Sequence, residues 1–297
     1  MTQLVRVAQE VATALASGAP VVALETTIVA HGFPAGVGVE VGFECEAKIR
    51  TAGAVPATVG VLDGNVLVGL SPAQLERFDA GAAKAGARDL AACVIRGGAG
   101  ATTVGGTLAI CRQAGVRFLA TGGIGGIHRG FPSPPDVSSD LVELARTEAV
   151  VVSSGAKSLL DVRATAELLE TLGIPVLGYR TDELPLFYTS AGGPPVSTRV
   201  ESAEEAARIA RAHWELGGSS SVLLGRPPDA GLDDLEPLVE RALAKAADEG
   251  VRGQAVTPFV LDFLHRESGG QTLEVNRELA ADNAQLAAEV AVAYAAL

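Results

Sequence analysis

The chain is poor in the residues that build aromatic or thiol sites. Aromatics make up 4% of its 297 residues, and tryptophan and methionine occur once each. An aromatic binding surface has little to draw on, whereas 35 glycines fit tight loops and close backbone packing. Cysteine occurs three times, at Cys45, Cys93 and Cys111, widely spaced and with no CxxC. That pattern points to reduced, buried thiols in a cytosolic protein rather than a disulfide framework. Positive charge is also short, with 23 Lys and Arg against 35 Asp and Glu and a net charge of −12. Nucleic acid and anionic membranes attract basic surfaces, so neither is expected as the main partner. A local basic pocket for a small phosphate remains compatible. No apolar run is long enough to cross a bilayer, and Met1–Glu10 reads as the start of an amphipathic helix, without the regions of a signal peptide. A cytoplasmic protein is the expectation.

The composition is 48% hydrophobic and 20% charged, enough for a sizeable core in one large α/β domain spanning residues 1–297. Apolar runs at 21–24, 56–62, 66–69, 90–95, 116–120, 149–153, 175–179 and 220–224 read as strands. Helical periodicity covers 3–17, 37–52, 72–84, 103–114, 138–147, 157–172, 201–216, 233–249, 257–267 and 274–296, with Asp233-Asp234 opening its helix. Asp63-Gly-Asn65 is a hairpin turn signal. Alternating strands and helices imply a three-layer α/β/α sandwich with a mostly parallel, mixed central sheet. Ligands of such sheets gather at the carboxyl ends of strands. Glu25, Thr121 and Lys157 each lie just past an expected strand end.

Lysine is scarce, with four (Lys48, Lys84, Lys157 and Lys245) beside nineteen arginines. Lys157 closes Ala149-Val-Val-Val-Ser-Ser-Gly-Ala-Lys157, and a helical pattern follows at once. A lysine at a helix start, poorly solvated, has its ammonium form disfavoured and can act as a Schiff-base nucleophile. The plainer reading is a lysine that snorkels from a helix start. Glu25 ends an apolar strand. It is either a buried general acid or a carboxylate satisfied by backbone donors.

Ala99-Gly-Ala-Thr-Thr-Val-Gly-Gly-Thr107 is either an anion site with Thr102 and Thr103 as hydroxyl donors or a tight strand-to-helix turn. Thr121-Gly-Gly-Ile-Gly-Gly-Ile-His-Arg-Gly130 can cradle a phosphate or sugar with His128 and Arg129. It matches neither the P-loop nor the dinucleotide fingerprint. Pro134-Pro-Asp-Val-Ser-Ser-Asp140 brings two carboxylates to a helix start, for capping or for a hard cation such as Mg²⁺ or Mn²⁺. Lys84 is read at a helix C-terminus, complementing the dipole or offering charge to a phosphate. His31 is read as structural.

These motifs together resemble the pseudouridine-5′-phosphate glycosidase, or indigoidine synthase A-like, family. The resemblance runs through Ala23-Leu-Glu-Thr-Thr-Ile-Val-Ala-His-Gly32, Gly53-Ala-Val-Pro-Ala-Thr58, Gly100-Ala-Thr-Thr103 and the glycine loop 121–130. It continues through Asp136-Val-Ser-Ser-Asp140, Ser154-Gly-Ala-Lys-Ser-Leu-Leu-Asp161, Gly178-Tyr-Arg-Thr-Asp182 and Thr257-Pro-Phe-Val-Leu261. It implies reversible cleavage of the C–C glycosidic bond of pseudouridine 5′-phosphate to uracil and ribose 5-phosphate. By the same resemblance Lys157 is the nucleophile, forming an adduct with the sugar C1′, and Glu25 is the proton donor. Lys84, the Val104 backbone, Ser138, Ser139 and Asp140 match substrate-binding positions, and Asn276 resembles an asparagine near the sugar. Asp136 matches the residue that holds a divalent metal, usually Mn²⁺ and largely through water. A homotrimer is implied. The chain departs from the family pattern at Phe131-Pro-Ser-Pro-Pro135 and, mildly, at Ser138-Ser-Asp140. Two other classes stay open: a different Schiff-base lyase or aldolase acting on a sugar phosphate, and a non-catalytic binding protein for nucleotide-like metabolites.

Overall fold

The computed structural model describes residues 4–133, 135–232 and 235–297. The expected helix opening at Asp233-Asp234, Pro134 and the first three residues lie outside this set. The strands are β1 (Val5–Val7), β2 (Val21–Glu25), β3 (Val55–Leu62), β4 (Asn65–Val68), β5 (Ala83–Ala85), β6 (Gly100–Thr102), β7 (Phe118–Ala120), β8 (Ile127–His128), β9 (Val150–Ser153), β10 (Leu160–Asp161), β11 (Val176–Tyr179), β12 (Thr198–Val200) and β13 (Val222–Gly225). The helices are α1 (Gln9–Ser17), α2 (Thr27–His31), α3 (Val37–Thr51), α4 (Pro72–Leu75), α5 (Leu90–Arg96), α6 (Val104–Ala114), α7 (Asp140–Ala145), α8 (Val162–Thr171), α9 (Ala203–Glu215), α10 (Glu236–Asp248), α11 (Val256–Glu267) and α12 (Gln271–Ala295).

An eleven-stranded sheet runs β1-β4-β3-β2-β7-β9-β13-β11-β12, with β6 on β3 and β5 on β6. Its centre is parallel, and antiparallel pairing is confined to β3 with β4 and β6. Every residue of β2, β7, β9 and β13 is buried, which is why these strands read as unbroken apolar runs rather than alternating ones. The long helix α12 lies on β2, β7 and β9 and packs against α3 and α9, while α6 packs on β2 and β3 and against α7. The architecture is the three-layer α/β/α sandwich that the alternation implies.

Local structure departs from the sequence reading in four places. Residues 5–7 leave the expected first helix and form the edge strand β1 beside β4. The run 90–95 is the helix α5 and not a strand: Val94 is its buried residue and Ile95 is 85% exposed. The helix expected over 72–84 stops at Leu75, and Lys84 lies in β5. The helix expected from 157 begins at Val162, where the Asp161 side chain accepts the Ala164 amide. Lys157 is therefore in a turn after β9 and not at the start of α8.

Candidate active site

Strands β2, β7 and β9 are adjacent and parallel, with Leu24 beside Ala120 and Ala120 beside Val152. One residue further on stand Glu25 and Ser153, the last residues of β2 and β9, and Thr121, the first past β7, and there the chain leaves the sheet. Three loops thus open at one sheet edge. The loop after β9 needs Gly155: its φ is +80° and a Cβ there would sit 1.8 Å from the Pro185 carbonyl oxygen. The Ile124 carbonyl then accepts the Lys157 amide. The loop after β7 needs Gly125, where a Cβ would lie 2.3 Å from the Ser138 hydroxyl.

These loops wall a cavity of about 330 Å³, lined among others by Glu25, Lys84, Thr103, Val104, Asp140 and Lys157. His128, Asp136, Ser138, Ser139 and Asn276 also line it. Every site residue expected from sequence is on its wall except Arg129 and Thr102, whose buried hydroxyl donates to the Val59 carbonyl. Arg129 turns away, its guanidinium pairing with Glu236 and donating to the Ser158 carbonyl. Phosphate binding is thus not assigned to Arg129. Arg88 is the guanidinium on the cavity wall, held by an exposed contact to Asp89 at 3.4 Å.

Glu25 is 4% exposed. Burial pushes its carboxyl above the ordinary carboxylate range, and the Lys157 charge and hydroxyls of Thr121 and Thr27 pull the other way. Both hydroxyls donate to it, Thr121 to Oε1 and Thr27 to Oε2. Lys84, expected at a helix end, projects from a strand into the cavity. Its ammonium is disfavoured by burial first and by Lys157 second.

Asp140 is also buried, and both its oxygens are occupied. Oδ1 accepts the Gly105 amide at 2.8 Å and Oδ2 accepts the Gly125 amide at 2.9 Å. It ties the start of α6 to the glycine loop. The Gly106 amide goes to the Thr103 hydroxyl. Among the described residues, the Val104 amide has no hydrogen-bond partner at the start of α6, and Val104 lines the cavity together with two lysines. An anion fits there.

Asp136 lies 4.0 Å from the His128 ring, which burial holds neutral more readily than a free imidazole. No three His, Cys, Asp or Glu side chains gather as a metal-ligating group among the described residues. Asn276 donates from Nδ2 to the Gly32 carbonyl at 3.2 Å, fixing its amide at the wall. His31 lines the cavity too, with a buried Nε2 that has no hydrogen-bond partner, and burial favours its neutral form.

Sequence reasoning did not single out Thr27, Arg88, Gln254 or Phe187, all on the wall. Thr27 had a signal, since a hydroxyl two residues past a buried acid can reach it. Gln254 had none, because it arrives from a short 3-10 helix, Gly253–Ala255, remote in sequence from Glu25, Lys84 and Lys157. Cys45 and Cys111 are buried free thiols, pushed up to about 12 by burial, and Cys93 is partly exposed. No helix among the described residues is long and apolar enough to cross a membrane.

Comparison with known proteins matches this geometry to a family. The chain fits the model described as "Indigoidine synthase A like protein" over residues 10–293. It is 46% identical to the pseudouridine-5′-phosphate glycosidase of Herpetosiphon aurantiacus, covering 99% of this chain and 98% of the relative. It is 48% identical to the protein of the same name from Streptomyces griseus, covering 96% and 91%. Among solved structures it resembles the prealnumycin C-glycosynthase AlnA in complex with ribulose 5-phosphate, at 43% identity and a TM-score of 0.90, over 100% of this chain and 98% of that one. An indigoidine synthase A-like protein from Thermotoga maritima follows at 36% identity and a TM-score of 0.87, over 97% and 96%. This chain belongs to the indigoidine synthase A-like family.

Proposed function

We propose that the protein reversibly cleaves the C–C glycosidic bond of pseudouridine 5′-phosphate, giving uracil and ribose 5-phosphate. One observation carries this reading: a buried acid, Glu25, and an amine, Lys157, close enough for its charge to act on that acid, share the wall of one cavity. The names of the relatives support it, as does the pentose phosphate in the complex of the neighbour AlnA.

A carbon leaving group is poor, so cleavage needs an electron donor on C1′ and a proton on the departing carbon. The Lys157 amine attacks C1′; the N–C1′ bond forms, the C1′–O4′ bond breaks, and O4′ takes the proton that the nitrogen sheds, which leaves the nitrogen its lone pair. Glu25 then gives its proton to uracil C5. The C1′–C5 pair returns to the uracil ring while the nitrogen lone pair forms the C1′=N bond. Water adds to that imine and releases ribose 5-phosphate, freeing the amine. Lys84 and the Val104 amide hold the phosphate, with the Ser138 and Ser139 hydroxyls beside it and Thr103 capping the same helix start. Asn276 contacts the sugar. Asp140 serves this cradle by fixing its backbone.

Asp136, a single carboxylate beside a neutral imidazole and open to water, suits a hard divalent ion such as Mn²⁺ or Mg²⁺ held mainly through water. Such an ion supplies positive charge near the substrate. A homotrimer in the cytoplasm is part of the same proposal.

The ketose phosphate in the AlnA complex favours one second reading, another lysine-imine enzyme acting on pentose phosphates. Incubating purified protein with pseudouridine 5′-phosphate and following uracil release separates the two. Turnover by the wild type and its loss, by at least about 10³-fold, in a folded Lys157→Ala variant are expected. Uracil release at wild-type rate by that variant contradicts the mechanism.

A further inference from the structure

Two threonine hydroxyls meet the two oxygens of Glu25, and their situations differ. The Thr121 hydroxyl donates to Oε1, and its other acceptor, the Gly123 carbonyl, is at 3.5 Å, the limit of a hydrogen bond. Thr121 is 3% exposed, and its own carbonyl accepts from Asn283 at 2.9 Å, so its backbone is pinned under α12. The Thr27 hydroxyl lies between Oε2 and the Thr102 carbonyl, 3.1 Å away. A hydroxyl has one proton. Thr27 can donate to the carboxylate or to the carbonyl, not to both.

We propose that Thr121 and Thr27 are positioning residues that divide the Glu25 carboxyl between them: Thr121 is a fixed donor to Oε1, and Thr27 is a reversible partner of Oε2. This rests on the role given to Glu25 above. With Oε1 always accepting from Thr121, the transferable proton resides on Oε2. In the acid form Oε2–H donates to Thr27, and Thr27 donates to the Thr102 carbonyl. When the proton leaves for the base carbon, the Thr27 hydroxyl turns from the carbonyl to the new carboxylate. No heavy atom needs to move, so the acid form and the carboxylate are held in one geometry.

The charged groups facing this carboxyl are Lys157, which favours the carboxylate, and Asp140, which opposes it; Lys84 in turn feels the Glu25 charge. None of them is altered by changing a threonine. Loss of a donor to the carboxylate raises the carboxyl midpoint. Thr27 has an alternative acceptor and Thr121 in effect none, so the loss weighs more at Thr121.

The test is a ¹³C NMR titration of protein carrying [δ-¹³C]glutamate, with the Glu25 signal identified by its absence in Glu25→Gln. Thr121→Val is expected to raise the Glu25 midpoint by about one to two pH units. Thr121→Ser is expected to restore it, and Thr27→Val to raise it by less. In turnover, the alkaline limb of the cleavage profile should move up with the midpoint, because an acid is active below its pKa and is lost above it. A merely structural role would lower the rate and leave the limb in place. An unmoved midpoint in folded Thr121→Val overturns the proposal; should that variant fail to fold, an unmoved midpoint in Thr27→Val does so. The titration needs no substrate. A shifted midpoint in a protein inert toward pseudouridine 5′-phosphate would uphold the clamp and reject the proposed reaction.

Discussion

Asp140 holds two backbone amides that come from different elements, one at the start of α6 and one in the glycine loop after β7. A buried amide left without an acceptor costs about 1–3 kcal/mol. Asp140→Ala orphans the buried Gly105 amide and the part-buried Gly125 amide, which water can partly satisfy, so a loss of roughly 2–4 kcal/mol in unfolding free energy is expected, read as a lower urea midpoint at unchanged slope. A loss below about 0.5 kcal/mol, the level of an ordinary surface change, would contradict this role. The cavity-wall residues Glu25, Lys84, Thr121 and Lys157 were legible from sequence because each ends an apolar strand or sits in a run of small residues. Asp140 shows where that legibility ends. Its carboxylate was recognised, but that both oxygens face backbone depends on how α6 and α7 pack. Arg129 shows the same limit, since its partner Glu236 lies 107 residues away.

Elements deliver these residues, and the turn after β9 is the tightest delivery. At Gly155 a methyl group would meet the Pro185 carbonyl at 1.8 Å, and the backbone is left-handed as well. At Gly173, which ends α8, φ is also positive, at +67°, but nothing lies within 4 Å. Gly173→Ala should therefore cost only the conformational strain, about 1 kcal/mol. Gly155→Ala should cost clearly more and displace Lys157, lowering the melting temperature and the rate together. Equal costs at the two sites would show that the Pro185 contact does not constrain the turn. Buried central strands were readable, because full burial demands continuous apolar runs. Short edge elements were not. Leu90–Ile95 is apolar enough for a strand, yet it forms a helix on the surface, since β6 takes the position beside β3 and β5 the one beside β6. A short apolar run does not distinguish the two by periodicity. The five residues before α8 carry helix formers, but the Asp161 cap sets the start of the helix.

Across the whole molecule, burying an acid beside lysines sets stability against function. The Glu25 carboxyl is raised in the folded state, so between its ordinary unfolded value, about 4.3, and its folded value the folded chain binds more protons than the unfolded one. Stability from this group is full below that window and is lost as pH rises through it. His31, His128 and His265, lowered by burial, act in the opposite sense, but equally in a variant that keeps them. Glu25→Gln removes only the carboxyl contribution, and an amide can accept from Thr121 and donate to Thr27. The variant should be more stable than the wild type at pH 8, with the gap closing toward pH 4. A gap that does not change with pH would place the proton elsewhere.

One amine acting on an opened pentose is the central claim, and reduction with borohydride tests it most directly. Protein incubated with ribose 5-phosphate, reduced, digested and weighed should carry one reduced pentose phosphate on the peptide containing Lys157, and none in Lys157→Ala. Label on Lys84 instead, or no label at all, would contradict the account.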